Sequence, residues 1–76
     1  MNETIEWDKV IKKEARGIDD YDLGEVEEVD EEHVITKKGV VDKDRFYIPK
    51  NKVHKFDGDK LWLEVTKDEA KAYKRD

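Results

Sequence analysis

The chain has 76 residues, of which 49% are charged and 36% hydrophobic, and its formal net charge at pH 7 is −5. This length allows one small domain with one thin core, and no apolar run approaches the roughly 18 residues that a membrane span needs. The sequence contains no cysteine or serine and begins with acidic residues, so we expect no disulfide, no thiolate metal site, no serine nucleophile and no secretory signal. We therefore predict a cytoplasmic protein.

The charged residues are unevenly distributed. Residues 17–36 contain nine acidic residues and no lysine or arginine, whereas residues 37–60 contain eight basic and four acidic residues. Segments of opposite sign can pair within one fold or head to tail between two copies. The acidic balance disfavours nucleic acid, because phosphate binding needs clustered basic residues. Many lysines and glutamates, without cysteine or glutamine, are also typical of thermophile proteins.

The first third of the sequence predicts an arm and two strands. Residues 1–9 are predicted to form a loosely held N-terminal arm, in which Ile5 and Trp7 alternate as in a short strand. Residues 10–76 form the single domain. A strand at 13–16 is followed by an aspartate-rich turn at 18–22, because aspartate side chains accept local backbone hydrogen bonds. A second strand spans 23–29, where apolar residues spaced by three predict a bulge near 27–28 or a helical turn.

The middle of the chain predicts two more strands. Residues 33–37 form the first, and a looser connection containing Val40 and Val41 follows. In the strand at 45–49, Phe46 and Ile48 share one face and Tyr47 lies on the other, and a proline, which lacks an N–H for the sheet, ends the strand. Residues 50–55 are predicted to form a turn.

The last part of the chain predicts a hairpin and a helix. The Asp-Gly pair at 57–58 is a strong hairpin signal. It leads into a strand at 60–65 whose Leu61, Leu63 and Val65 face the core, while Trp62 faces away. The sequence from Thr66 to Glu69 matches a capping box and begins a helix from 67 to about 74. Short strands spaced by about ten residues predict a mainly β protein, a small barrel or rolled sheet of five to six antiparallel strands with a short C-terminal helix.

Residues that could carry chemistry are few. His33 and His54 stand in no metal-ligand spacing, and His33 is expected to be a solvated strand residue. The aspartates at 19, 20 and 22 resemble a fragment of a calcium loop but lack its later bidentate glutamate. There is no glycine-rich phosphate loop, and no pattern predicts a buried carboxylate pair. We predict no metal, no cofactor and no enzymatic activity.

Aromatic residues away from the predicted core are the best interface candidates. If their two strands were neighbours, Tyr47 and Trp62 would form one patch on the outside of the sheet. The terminal helix through Tyr73, or the arm through Trp7, could instead fold over that patch. An uncovered patch would be an interface, because tryptophan and tyrosine are enriched as anchors, and a domain this small gains from association. We therefore predict that Tyr47, Trp62, Tyr73 and Trp7 form the interface of a homodimer or of another protein complex.

Two parts of the chain resemble the PRC-barrel family. The runs VIKKEARG at 10–17 and DLGEVEEV at 22–29 resemble the opening of that domain. The run FYIP at 46–49, followed by Val53, DGD at 57–59 and LWL at 61–63, resembles its second half. The resemblance covers residues 10–65. One departure is Lys12, where many family members carry glycine.

The resemblance implies a small barrel that acts as a binding module without catalysis. The family includes the H-subunit domain of photosynthetic reaction centres, a domain of the ribosome-maturation factor RimM, and stand-alone archaeal proteins of similar length and charge. Some of these stand-alone proteins are adaptors in FtsZ-based cell division, and they associate with one another and with the membrane anchor SepF. The resemblance therefore implies a homodimer or paralogue heterodimer, with a division-ring anchor protein as a further partner and no direct membrane insertion.

Two functions from different classes follow as expectations. The first is a protein-interaction adaptor of this archaeal cell-division type. The alternative is a ribosome-assembly or RNA-associated factor similar to the PRC domain of RimM, in which the basic segment 37–60 would be the contact surface. A small-ligand barrel is the weakest option, because side chains fill the interior of a barrel this small.

Overall fold

Seven short strands and two helices make up the chain in a computed structural model that describes residues 5–39 and 44–75. The elements in chain order are α1 (Trp7–Val10), β1 (Glu14–Arg16), β2 (Asp22–Val29), β3 (His33–Lys38), β4 (Asp44–Pro49), β5 (Val53–Phe56), β6 (Lys60–Leu63), α2 (Lys67–Tyr73) and β7 (Lys74–Arg75). The mainly β class and the short C-terminal helix are therefore confirmed. The predicted connection at Val40 and Val41, and residues 1–4 of the predicted arm, lie outside the described residues.

The strands form one sheet in the order β5-β6-β1-β2-β3-β4-β7. Two predictions are wrong here: the number of strands is larger than five or six, and β1 pairs with β6 in parallel. The predicted barrel is not confirmed, because within the described residues the outer strands β5 and β7 pair only with β6 and β4, which leaves the sheet open. After β4, the chain crosses to the side of β1 that faces away from β2, and there β5 and β6 form a hairpin. Strand β6 therefore lies next to β1 and runs parallel to it.

The alternation of side chains along the strands positions the core. Leu61 and Leu63 of β6 are buried, as are Phe46 and Ile48 of β4, and all four belong to one apolar cluster. Val65 is also completely buried. These facings confirm the predicted pattern for both strands, and they turn Tyr47 and Trp62 away from the core.

Strand β2 contains two irregularities, one of which the sequence predicted. Its register with β3 shifts between Val26 and Glu28, which confirms the predicted bulge. Its register with β1 shifts near Gly24, whose φ is +89°. The amide of Gly24 donates to the carboxylate of Asp22 over 2.8 Å, so the side chain at the strand start stabilises this second bulge.

Two local predictions are wrong. The predicted short strand around Ile5 and Trp7 is replaced by α1, which places Val10 in the core. The predicted turn at 50–55 is limited to a 3-10 turn, Lys50–Lys52, because residues from Val53 onward pair with β6.

The C-terminal helix returns the chain from β6 to β4. The hydroxyl of Thr66 accepts a hydrogen bond from the amide of Glu69 over 3.1 Å, and the Glu69 carboxylate accepts one from the Thr66 amide over 2.9 Å. This is the predicted capping box. Ala70 is buried in the core and Tyr73 packs against it, so these two residues form the packed side of the helix. Helix α2 thereby brings β7 to the edge of β4.

Candidate functional site

A groove of about 720 Å³ lies where three parts of the chain meet. Its walls are the 3-10 turn Ile18–Asp20 between β1 and β2, the β5–β6 hairpin and the first turn of α2. We call it the Trp62 groove, and its lining residues are Gly17, Ile18, Asp19, Asp20, Lys52, His54, Trp62, Leu63, Glu64, Thr66 and Glu69.

Trp62 is held in this groove by the turn of its own hairpin. Its indole Nε1–H donates to the Oδ2 of Asp57 over 2.9 Å, while the Oδ1 of Asp57 accepts from the amides of Asp59 and Lys60. These hydrogen bonds lower the pKa of Asp57 from 3.8 to about 2, and the bond from the indole has the largest effect. The carboxylate that closes the turn therefore also fixes the orientation of the aromatic ring.

Ile18 presents the second apolar surface. It is 43% exposed, and among the described residues it is the one large hydrophobic side chain in the exposed class. Its amide donates to the carbonyl oxygen of Val65 over 2.8 Å, which holds the turn against the core. The next two residues, Asp19 and Asp20, both have a φ of 61°. A tight left-handed turn therefore keeps an isoleucine in solvent beside a tryptophan.

The polar rim of the groove contains one ion pair and one contact between a histidine and a carboxylate. Lys52 Nζ lies 3.7 Å from the Oε2 of Glu69, and His54 Nδ1 lies 3.3 Å from the Oε2 of Glu64. The bond that the Glu69 carboxylate accepts from the Thr66 backbone is the main cause of its lowered pKa. Lys52 and Glu69 therefore cancel each other's charge, whereas Glu64 keeps its negative charge unless His54 is protonated.

The groove does not have the donor set of a metal centre. Across the residues described by the structure, no group of three or more histidine, aspartate or glutamate side chains is placed to hold a metal ion. His33 lies away from the groove, with its Nδ1 3.4 Å from the Oδ1 of Asp30. The groove presents two apolar side chains, Ile18 and Trp62, and a charged rim.

The other predicted interface residues lie elsewhere. Three strands separate β4 from β6 in the sheet, so the condition that would join Tyr47 and Trp62 in one patch is not met. Tyr47 is half-buried, with the His33 ring edge-on at 6.2 Å and the Arg75 guanidinium 5.1 Å from its ring centre. Tyr73 packs on the core as part of α2.

Trp7 lines a second groove, of about 670 Å³, on α1. It shares this groove with Ile11 and Val29, and the ammonium group of Lys50 lies 4.6 Å from the centre of its ring. The structure thus brings none of the other three predicted residues to Trp62. The interface role of all four stays a prediction.

Sequence reasoning missed two residues of the site. Ile18 stands at the start of a run of aspartates that indicates a turn, and a large apolar residue in a turn is a signal for exposure. The Asp-Gly pattern places Asp57 in the hairpin turn, whereas the structure shows that its carboxylate also reaches the indole of Trp62. That bond depends on the strand register, which places Lys55 opposite Trp62.

Comparison with known proteins gives one family. A family profile described as "Uncharacterized protein conserved in bacteria (DUF2171)" matches residues 12–71, well over half of the chain. The chain belongs to the DUF2171 family. The matched region includes both Ile18 and Trp62, and hence both apolar surfaces of the groove. No curated protein matches the sequence.

Membership in DUF2171 does not test the more specific predictions about family and source. The family description refers to bacteria and mentions neither a PRC-barrel nor cell division, so the PRC-barrel resemblance and the archaeal type stay predictions. Within the described part of the chain, no helix has the length and apolar character needed to cross a membrane.

Proposed function

We propose that this protein is a non-catalytic protein-interaction module and that the Trp62 groove is its partner-binding site. The observation that carries the proposal is the pairing of a 43% exposed isoleucine with an outward tryptophan along the same groove. Tryptophan is among the residues most enriched at the energetic centres of interfaces. An apolar surface with a polar rim is also the usual anatomy of a binding patch.

Preorganisation of the groove supports the proposal. The indole is fixed by Asp57, the turn that presents Ile18 is fixed by the Val65 carbonyl, and the helix start is fixed by its capping box. A site that is ordered before binding loses less conformational entropy when a partner arrives. The partner would therefore meet two apolar side chains that already have their bound orientation.

The narrower form of the proposal is a cytoplasmic adaptor of the PRC-barrel type, forming a homodimer or paralogue heterodimer and serving FtsZ- and SepF-dependent cell division. It is supported by the sequence resemblance and by the small mainly β fold. The RNA-associated alternative has less support, because basic residues of segment 37–60 already have partners: Arg45 Nε is 2.7 Å from the Oε1 of Glu27, and the Lys50 ammonium lies over the Trp7 ring.

Comparative affinity capture tests the proposal. Wild-type protein and an Ile18→Ser variant are used as baits in lysate of the source organism, and retained proteins are identified by mass spectrometry. Because Ile18 is exposed, the variant keeps the core and removes only groove surface. We expect at least one protein to be retained by wild type and lost by Ile18→Ser. That protein is then purified, and its affinity for both forms is measured by calorimetry.

A matched control separates the groove from the rest of the surface. Trp7→Ser removes a half-buried apolar side chain from the second groove and is expected to retain the same partner. The proposal is wrong if purified partners bind Ile18→Ser and wild type with equal affinity. If ribosomal RNA is retained instead, and is released by moderate salt, the RNA-associated alternative is favoured. Light scattering of the 9.0 kDa chain at several concentrations tests the dimer.

A further inference from the structure

We propose that the occupant of the Trp62 groove is an extended cationic segment of a partner protein that carries one large apolar residue. This inference rests on the proposed function and adds the chemistry of the partner. The apolar residue would lie between Ile18 and Trp62, and a lysine or arginine beside it would lie at the turn that contains Asp19 and Asp20.

The two sides of the groove differ in charge. On the side of β5 and α2, the carboxylates of Glu64 and Glu69 already have His54 and Lys52 as partners. A charged group arriving at Glu69 would have to displace the ion pair with Lys52. This side therefore carries at most one uncompensated negative charge, that of Glu64 when His54 is neutral.

The turn side carries uncompensated negative charge. In the described ranges, Asp19 has no ion pair, and its side chain belongs to the most exposed class. The nearest cation to Asp20 is the Arg16 guanidinium, at 3.7 Å, and that group is committed to the Glu14 carboxylate at 2.7 Å. Of the two aspartates, only Asp20 thus has a cationic neighbour, and it shares that arginine with Glu14. A cation supplied by a partner would neutralise this remaining negative charge.

The position of the charge beside Ile18 fits one kind of side chain. Lysine and arginine place an aliphatic stem on apolar surface and keep the charged end in a polar environment. A stem lying on Ile18 would bring its charged end to the next two residues of the chain. The net charge of −5 adds a long-range attraction for such a segment.

Three twelve-residue peptides test the inference. The first alternates lysine and serine around a central leucine, the second replaces each lysine by glutamate, and the third keeps the lysines and replaces leucine by serine. Each is titrated into nitrogen-15-labelled protein in 50 mM NaCl. We expect the lysine–leucine peptide to shift the Ile18 amide and the Trp62 indole signals with saturation, and the other two to bind at least about fivefold more weakly.

Two further measurements isolate the role of the turn. Raising NaCl to 300 mM is expected to weaken binding by about fivefold, because exposed charges are screened. Asp19→Asn should weaken it by about threefold, since asparagine tolerates the left-handed backbone and removes only the charge. Asp68→Asn, an exposed residue of α2 outside the groove, is the matched control and should leave the affinity unchanged.

Several results would overturn the inference: equal affinity of the glutamate–leucine peptide, no effect of Asp19→Asn, shifts confined to residues outside the groove, or no binding of any peptide. Its failure is distinguishable from failure of the proposed function. If the captured partner still depends on Ile18, the groove is an interaction site for a different chemistry. If no partner depends on Ile18, the function itself is wrong.

Discussion

Replacing Gly24 by alanine tests how closely β2 and β3 approach each other. A Cβ at this position would overlap the carbonyl oxygen of Lys37 and lie 2.7 Å from its carbonyl carbon and 2.9 Å from the Cα of Lys38. All three are backbone atoms of β3 and cannot rotate away. The two strands would therefore have to separate locally, in the middle of the sheet.

Gly58 provides the matched control, because its φ is +98° but a Cβ there would meet nothing within 4 Å. Alanine in this backbone region costs about 1–2 kcal/mol, of which about 0.4–1 kcal/mol is offset by the lower entropy of the unfolded chain. We expect Gly58→Ala to lose about 1 kcal/mol on this basis. Gly24→Ala has the same backbone cost plus overpacking of about 1–3 kcal/mol and about 1 kcal/mol for a weakened strand hydrogen bond.

The expected total for Gly24→Ala is therefore about 3–5 kcal/mol, a large part of the stability of a small domain. Urea unfolding and thermal unfolding, both followed by circular dichroism, compare the two variants with wild type. The midpoint temperature should fall by about 4–8 °C for Gly58→Ala and by at least about 12 °C for Gly24→Ala. Equal losses in the two variants would contradict this explanation, because they would mean that the approach of β3 does not constrain residue 24.

Three other substitutions test separate features of the fold. Lys12 has a φ of 70°, so Lys12→Gly should raise the free energy of unfolding by about 0.5–1 kcal/mol in the same urea assay. An equal gain from Lys12→Ala would contradict the backbone explanation, because alanine does not relieve the left-handed conformation. Thr36 is completely buried, and its hydroxyl has no hydrogen-bond partner among the described residues. The isosteric Thr36→Val should therefore stabilise the protein by about 1 kcal/mol. A lower thermal midpoint would show that the hydroxyl does make a hydrogen bond in the folded protein. The pKa of Asp57 is lowered to about 2 in the folded state, so its stabilising contribution is complete above its unfolded value of 3.8 and is lost as the pH falls toward 2. Asp57→Asn should flatten the pH dependence of stability in that window and shift the indole signal of Trp62, and an unchanged profile would rule out this linkage.

Lys12 occupies a backbone position that favours glycine. Its φ of 70° lies in the left-handed region. The amide of Lys12 donates to the carbonyl oxygen of Val26 over 2.7 Å, which fixes the turn between α1 and β1. A lysine at this position is therefore strained by the same geometry that favours glycine.

Local features of the fold could be predicted from the sequence. The alternation in 60–65 identified which side chains of β6 are buried, the Asp-Gly pair identified the hairpin, and the capping box identified the start of α2. The bulge in β2 followed from its irregular apolar spacing. Each of these depends on residues within a few positions of one another, so a linear pattern contains the necessary information.

The strand order, and hence the content of the site, depends on contacts between distant parts of the chain. Alternation shows that Tyr47 and Trp62 both face away from the core, but it carries no information about pairing between distant segments. The parallel pairing of β1 with β6 places three strands between them and brings the Ile18 turn beside Trp62 instead. That pairing depends on how the whole core packs, because many strand orders bury the same apolar side chains. Local sequence patterns therefore set which faces of the strands are buried, whereas the packing of the core sets where the groove forms.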